Sequence, residues 1–312
     1  MISYEEFVQV QNGRASLYRL VAKIFREPLS QEDIEALAQG GLSGFACGDQ
    51  RIDHGVHVMA RYLAKRNTGT RELLNRDYTL AFYGIQGVDG RMALPYESAF
   101  GGEEQRLMGF ARGKVYNIFK KQALKLGEGI DLPEDHLSFM CEFMALIAER
   151  SCESFKADQM DSVRTYLRLQ QEFLKQHILN WYPKLASLAG QIVSERFYRG
   201  AMEFAGGFFD LDLQNLNALV AETGASSIAF DLNELELAHP VNTSKRKPKP
   251  YPVVDKHACI RKKGAMCMAC VSICPEHIDP CADRKKHPQN ECTHCGLCIQ
   301  ACPADALTLP EA

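Results

Sequence analysis

Between Cys259 and Pro303 the chain gathers nine of its twelve cysteines, at a spacing that dictates what they can bind. Cys267, Cys270, Cys274 and Pro275 recur twenty-eight positions later as Cys295, Cys298, Cys302 and Pro303. The second copy is complete, reading Cys292-x2-Cys295-x2-Cys298-x3-Cys302-Pro303; the first has Gly264 where the repeat calls for a cysteine, and its nearest upstream thiol is Cys259. Three thiolates on one short loop can cap three irons of a cube while loop amides point at the sulfides. Gly296 lets the backbone approach closely. Proline after the last cysteine removes an N–H and turns the chain away, which frees that thiolate to reach a neighbouring cluster. Paired C-x2-C loops also hold structural zinc, but four cysteines within eleven residues followed by proline suit an iron–sulfur cube better. Disulfides are disfavoured, because no secretory leader is legible at the start of the chain.

This run resembles the ligand run of bacterial two-cluster ferredoxins, in which the fourth cysteine serves the other cluster. The resemblance implies a small α+β ferredoxin-like domain over residues 257–312 carrying two [4Fe–4S] clusters. It assigns one cluster to Cys259, Cys267, Cys270 and Cys302, and the other to Cys274, Cys292, Cys295 and Cys298. Cys281 is left over. At the irregular first loop Cys281 stands as an alternative to Cys259, and a three-iron form as an alternative to a full cube. Some ferredoxin modules that the stretch resembles have a lengthened first gap, which favours Cys259.

The elements that must position these residues are mostly helical. At 312 residues and 46% hydrophobic, the chain can bury a sizeable core, and its length suggests two domains. A formal charge of −3 gives no reason to expect nucleic acid or an anionic membrane as partner. No apolar run reaches the roughly 18 to 20 residues of a membrane span, and Glu5 and Glu6 stand where a targeting peptide is basic. A cytoplasmic protein is the expectation. Cys47, Cys141 and Cys152 are expected to pack as small buried hydrophobes.

Apolar periodicity predicts a helix from Ser16 that ends at Glu27-Pro28, and Ser30 with Asp33 caps a second. Val56 to Leu63 and Leu73 to Phe82 mark two more, and a longer one runs from about Glu103 to Leu126. Asp131, Pro133, Glu134 and Asp135 look like the cap, early proline and acidic first turn of the next. Further helices are expected over about 158–187, kinked near Pro183, over 191–204 before Gly206-Gly207, and over 211–222. The sum is eight or nine helices and almost no sheet. The glycines at 84, 87 and 90 lack the Lys-Ser/Thr of a phosphate loop, so no nucleotide site is read there.

Four segments give the helical part a family resemblance over roughly residues 10 to 205. They are Tyr18 to Pro28, Leu94 to Ser98, Leu132 to His136 with Glu142-Phe143-Met144, and Phe173 to Pro183. In order and spacing they resemble the TorD/DmsD family of redox-enzyme maturation chaperones. The resemblance implies an all-α bundle over residues 1–238 that binds an apo molybdopterin (Mo/W) oxidoreductase, or its twin-arginine signal peptide, until the cofactor is inserted, without turning over a substrate. It places the client-binding region at Pro95, Tyr96, Glu97, Ser98, Asp135, His136 and Trp181. A peptide with two arginines and an apolar stretch needs carboxylates, which Glu97 and Asp135 would supply, and an apolar groove, which Tyr96, Phe100, Phe139 and Trp181 would line. The competing reading is structural: Asp135 as a helix cap, His136 and His177 as interior histidines, and Trp181 as core.

Family members usually end soon after the last helix, whereas this chain continues. Residues 239–256 are basic and proline-rich, a composition expected to form an extended linker. The expected function is a cytoplasmic maturation chaperone with an appended two-cluster module for electron transfer, redox sensing or docking of a redox partner protein. The alternative is an iron–sulfur electron carrier whose helical part is a docking scaffold for a reductase. No nucleophile with an adjacent base supports a complete enzyme.

Overall fold

In a computed structural model, the described residues are 2–40, 42–83, 92–100, 110–124, 132–237, 252–265, 267–272, 279–281 and 297–308. The chain divides into two compact units, Met1–Ala238 and His239–Ala312. Within the described residues the first is all helix: α1 (Tyr4–Arg26), α2 (Gln31–Gln39), α3 (Gln50–Ala64), α4 (Thr70–Phe82), α5 (Phe110–Lys121), α6 (Leu137–Lys156), α7 (Met160–Phe173), α8 (Tyr182–Ile192), α9 (Arg196–Glu222) and α10 (Leu232–Leu237).

α1 begins twelve residues before the expected start at Ser16, because Ser3 and Glu6 close a reciprocal capping box ahead of it. Ser30 and Asp33 form the same device for α2, as the sequence predicts. α1 lies along α6, and α3 along α9. The shared core runs through Phe7, Tyr18, Phe25, Phe143, Phe173, Phe197, Phe204 and Phe209, none of them more than 2% exposed.

Three further expectations about helix limits are corrected. The first concerns Asp131 to Asp135: α6 begins at Leu137, and its cap is His136, whose Nδ1 accepts the Ser138 N–H at 3.1 Å. Asp135 is drawn away to another segment, described below; Asp131 lies outside the described residues. The second concerns residues 158–187. The helix widens into a π turn over Leu174–Ile178, stops, and Pro183 then sits in the first turn of α8, where its missing N–H costs nothing. The third concerns 191–204 and 211–222, which are one helix, α9, running through Gly206-Gly207. Asp77 holds its start, accepting the N–H groups of Ser194 and Glu195 at 2.7 and 2.5 Å. Of the early cysteines, Cys141 is buried as expected and Cys152 half-buried, but Cys47 is exposed.

Glycine permits the close approach of α3 and α9. A Cβ on Gly55 would stand 2.5 Å from the Phe204 nitrogen, and one on Gly200 would stand 2.8 Å from the Gly55 oxygen. Backbone faces backbone there, so no flexible side chain can give way. Gly55→Ala is therefore expected to lower unfolding free energy by about 1–3 kcal/mol despite alanine's better helix propensity. Gly13→Ala, with nothing within 4 Å, is the control in urea denaturation.

The second unit carries β1 (Val253–Val254), two single-turn helices, α11 (Ala269–Ser272) and α12 (Leu297–Gln300), and β2 (Leu307–Thr308). β1 and β2 pair antiparallel, Val253 with Thr308 and Val254 with Leu307. The stretch expected as linker thus contains a strand of this unit; residues 238–251 lie outside the described ones. α11 and α12 occupy equivalent places in the twenty-eight-residue repeat, each with a cysteine, Cys270 or Cys298, as its second residue. Both cysteines are buried against Leu307.

Candidate functional site

Strand pairing is what closes the cysteine module. Asp255 follows β1 and donates its N–H to the Ala306 carbonyl at 2.8 Å, extending the ladder toward the last loop. Its carboxylate accepts the N–H groups of His257 and Ala258, and its carbonyl accepts the Cys259 N–H at 2.9 Å. The turn so formed brings Cys259 to the pocket that Cys302 also lines, and the Cys302 sulfur accepts the Ala306 N–H at 3.3 Å. Cys259, Cys267, Cys270 and Cys302 then line one small pocket together with Cys281 and apolar walls from Val254, Ile260 and Leu307.

The surroundings suit thiolates held by amides. Backbone N–H groups of Lys262 and Arg261 point at Cys259 and bring its thiol below the usual range, whereas burial pushes the Cys270 thiol up. Burial and the neighbouring Cys259 raise Cys281 to about 11. Among the described residues no three His, Cys, Asp or Glu side chains close on one point; the thiols are spread around the cavity wall. Four cysteines on a largely apolar cavity, with amides aimed at two of the sulfurs, fit the donor set of a [4Fe–4S] cube. Of the other expected set only Cys298 is described; Cys274, Cys292 and Cys295 lie outside the described residues.

In the helical unit the expected client-binding residues form one patch. Tyr96 and His136 make an isolated antiparallel bridge, flanked by Leu137 N–H to Pro95 carbonyl at 2.8 Å and Glu97 N–H to Asp135 carbonyl at 3.1 Å. Asp135 accepts the Ser98 N–H at 2.9 Å. The Leu94–Phe100 segment, which has little regular structure of its own, is therefore fastened to the start of α6. Glu97 reaches the other way, to the π turn. Its Oε2 is 2.8 Å from His177 Nδ1, and its Oε1 accepts Asn180 Nδ2 at 3.1 Å. Trp181 donates its indole N–H to the His177 carbonyl at 2.5 Å and stacks on Phe100 at 5.6 Å between ring centres.

All seven residues are brought together, but the carboxylates point inward. Glu97 is 5% exposed and Asp135 fully buried; Pro95, Ser98, His136 and Trp181 are buried too, and Tyr96 is half-buried. Asn180 is exposed, and Tyr96 and Phe100 are half-buried. Burial raises the Asp135 carboxyl above the usual range, with the Ser98 contacts opposing it. Burial and Asp135 push the Tyr96 phenol up to about 12. Sequence reasoning named His177 as interior but missed its pairing with Glu97; the four-residue spacing of Phe173, His177 and Trp181 was the available signal.

Burial, and secondarily Arg26, hold His136 down to about 3. Its Nδ1 must stay unprotonated to accept the Ser138 N–H. A pKa depressed below the unfolded value of about 6.5 gives stability that is present above pH 6.5 and lost as pH falls toward 3. Between pH 7 and pH 5 wild-type protein should lose about 2 kcal/mol through this group alone. His136→Asn, which keeps a capping acceptor but does not titrate, should show a correspondingly smaller loss. Urea titrations at the two pH values, followed by helical circular dichroism, make the comparison.

Comparison with known proteins gives each unit a counterpart. Residues 48–187 match the family described as "Nitrate reductase delta subunit", and residues 287–308 match "4Fe-4S binding domain". The second match contains Cys292, Cys295, Cys298 and Cys302. The chain is similar to the chaperone protein TorD of Vibrio cholerae serotype O1 (strain M66-2), with 25% identity over 226 residues covering 70% of this chain and 99% of the relative. The TorD chaperone of Vibrio atlanticus (strain LGP32) is 25% identical over 210 residues, covering 65% and 94%. That of Aeromonas salmonicida (strain A449) is 24% identical over 226 residues, covering 71% and 99%.

Proposed function

We infer that this chain, a TorD-like helical domain joined to a C-terminal 4Fe–4S domain, is a cytoplasmic maturation chaperone for a molybdopterin oxidoreductase. It holds the apo enzyme, or its twin-arginine signal peptide, and turns over no substrate of its own. The observation that carries this reading is the TorD likeness extending over nearly the whole length of those chaperones. The patch of Pro95, Tyr96, Glu97, Ser98, Asp135, His136 and Trp181 is where the client is taken. It includes a loop fastened by the hydrogen bonds of two buried carboxyl groups, its own Glu97 and Asp135 before α6, and lifting it would offer both groups to arginines and Phe100 and Trp181 to an apolar stretch.

The second unit holds two [4Fe–4S] clusters, one on Cys259, Cys267, Cys270 and Cys302 and one on Cys274, Cys292, Cys295 and Cys298. Bound there, a cluster supplies reversible one-electron chemistry. The chain's own part is to keep water from the sulfurs with Val254, Ile260 and Leu307 and to steady Cys259 and Cys302 with backbone N–H groups.

The test is an anaerobic affinity capture of the full chain from its own host, with identification of bound proteins. Capture of a molybdopterin enzyme carrying an intact twin-arginine leader supports the reading. Capture of reductases alone would transfer the helical unit to a docking role.

A further inference from the structure

Five thiols line a cavity that needs four, and the fifth is held there by a dedicated set of bonds. Asp279 accepts the Cys281 N–H at 2.8 Å, and the same carboxylate takes the Arg261 guanidinium at 2.9 and 3.0 Å. Lys262 donates to the Cys281 carbonyl at 2.9 Å. Both basic residues belong to the turn that follows Cys259, so the Cys281 segment is stapled to the turn that carries the most irregular ligand of the module. The two sulfurs are left 3.8 Å apart.

We propose that Cys259 and Cys281 form a reversible disulfide when the cavity lacks its cluster, and that this bond gates cluster loading. The inference rests on the reading of Cys259 as a cluster ligand. The oxidant is a low-molecular-weight disulfide: one cysteine thiolate attacks it and releases one small thiol, and the other cysteine then attacks the mixed disulfide and releases the second. One S–S bond breaks and one forms, and the two cysteines lose two electrons and two protons to the two small thiols. Closing 3.8 Å to a bond of about 2.05 Å needs movement at side-chain scale. The pair so formed removes Cys259 from the ligand set and shields both sulfurs from deeper oxidation. A reducing cytosol reopens it, so loading proceeds only where thiols are kept reduced.

The experiment uses the full chain, stripped of metal under reductant and then exposed to glutathione disulfide. Non-reducing digestion and mass spectrometry should give a peptide joining Cys259 to Cys281 as the main linkage. Iron and sulfide uptake by this oxidised protein should be about tenfold slower than by the reduced one, and dithiothreitol should restore it. Cys281→Ser should lack the linkage, load iron at the same rate with or without glutathione disulfide, and reach the wild-type iron content when reduced. A predominance of other linkages, or none, overturns the proposal; that measurement is made on the wild type and does not depend on any variant folding. Loss of iron from reduced Cys281→Ser also overturns it, because Cys281 would then be a ligand, while the cluster reading stands. If reduced wild-type protein takes up no iron at all, the cluster reading itself fails and the gating role falls with it, whatever linkage is found.

Discussion

Asp212→Ala is expected to lower the unfolding free energy of the helical unit by about 3–5 kcal/mol, the cost of leaving a buried cation without its partner. Arg14 is buried between α1, α7 and α9, and its guanidinium donates to both Asp212 oxygens at 2.5 and 2.9 Å and to Gln170 at 2.8 Å. Tyr18 donates to the same carboxylate at 2.6 Å, and Gln11 completes the ring around Arg14. A small side chain at 212 strands Arg14 where no water hydrates it. Arg14→Met with Asp212→Leu, which removes both charges, should recover most of the loss. Urea unfolding of the single and double variants measures this, and an Asp212→Ala loss below about 1 kcal/mol would mean that solvent reaches the pair.

Glu97→Ala is expected to cost about 2–4 kcal/mol, since it removes the hydrogen-bond partner of His177 and Asn180 in a nearly buried setting. Its consequence differs from that of Asp212. Glu97 is the clasp between the Leu94–Phe100 segment and the π turn, so its loss loosens the patch proposed to hold the client. Asp212→Ala should weaken the fold and leave the affinity of the folded fraction for a twin-arginine peptide unchanged. Glu97→Ala should weaken both. Titration of the peptide under conditions where both variants are folded separates them, and an unchanged affinity for Glu97→Ala would leave that residue a loop clasp only.

The cysteine module was legible because its spacing is the chemistry: a repeat of twenty-eight residues predicts two like loops, and α11 and α12 place Cys270 and Cys298 equivalently. That Cys259 and Cys302 share one pocket was less so, since it depends on a two-residue strand pair too short to show as alternation. In the helical unit, caps written in adjacent residues were readable, as at Ser30 and Asp33. Where a side chain spends its hydrogen bonds on a distant segment, local reading failed. Asp135 looks like a first-turn acid but serves Ser98, and Gly206-Gly207 looks like a stop but lies within α9, where a Cβ on Gly207 would meet Arg51 and Ile52 of α3 at 3.0 Å. The Arg14–Asp212 pair spans most of the chain and leaves no periodic trace.

Iron and acid-labile sulfide, counted in the full chain purified without oxygen, test the central assignment most directly. Two cubes on eight cysteines predict about eight irons and eight sulfides per chain, with cluster-type absorption that falls on reduction. A colourless protein carrying zinc in their place would contradict it, and would leave the helical unit as a chaperone with a structural metal tail.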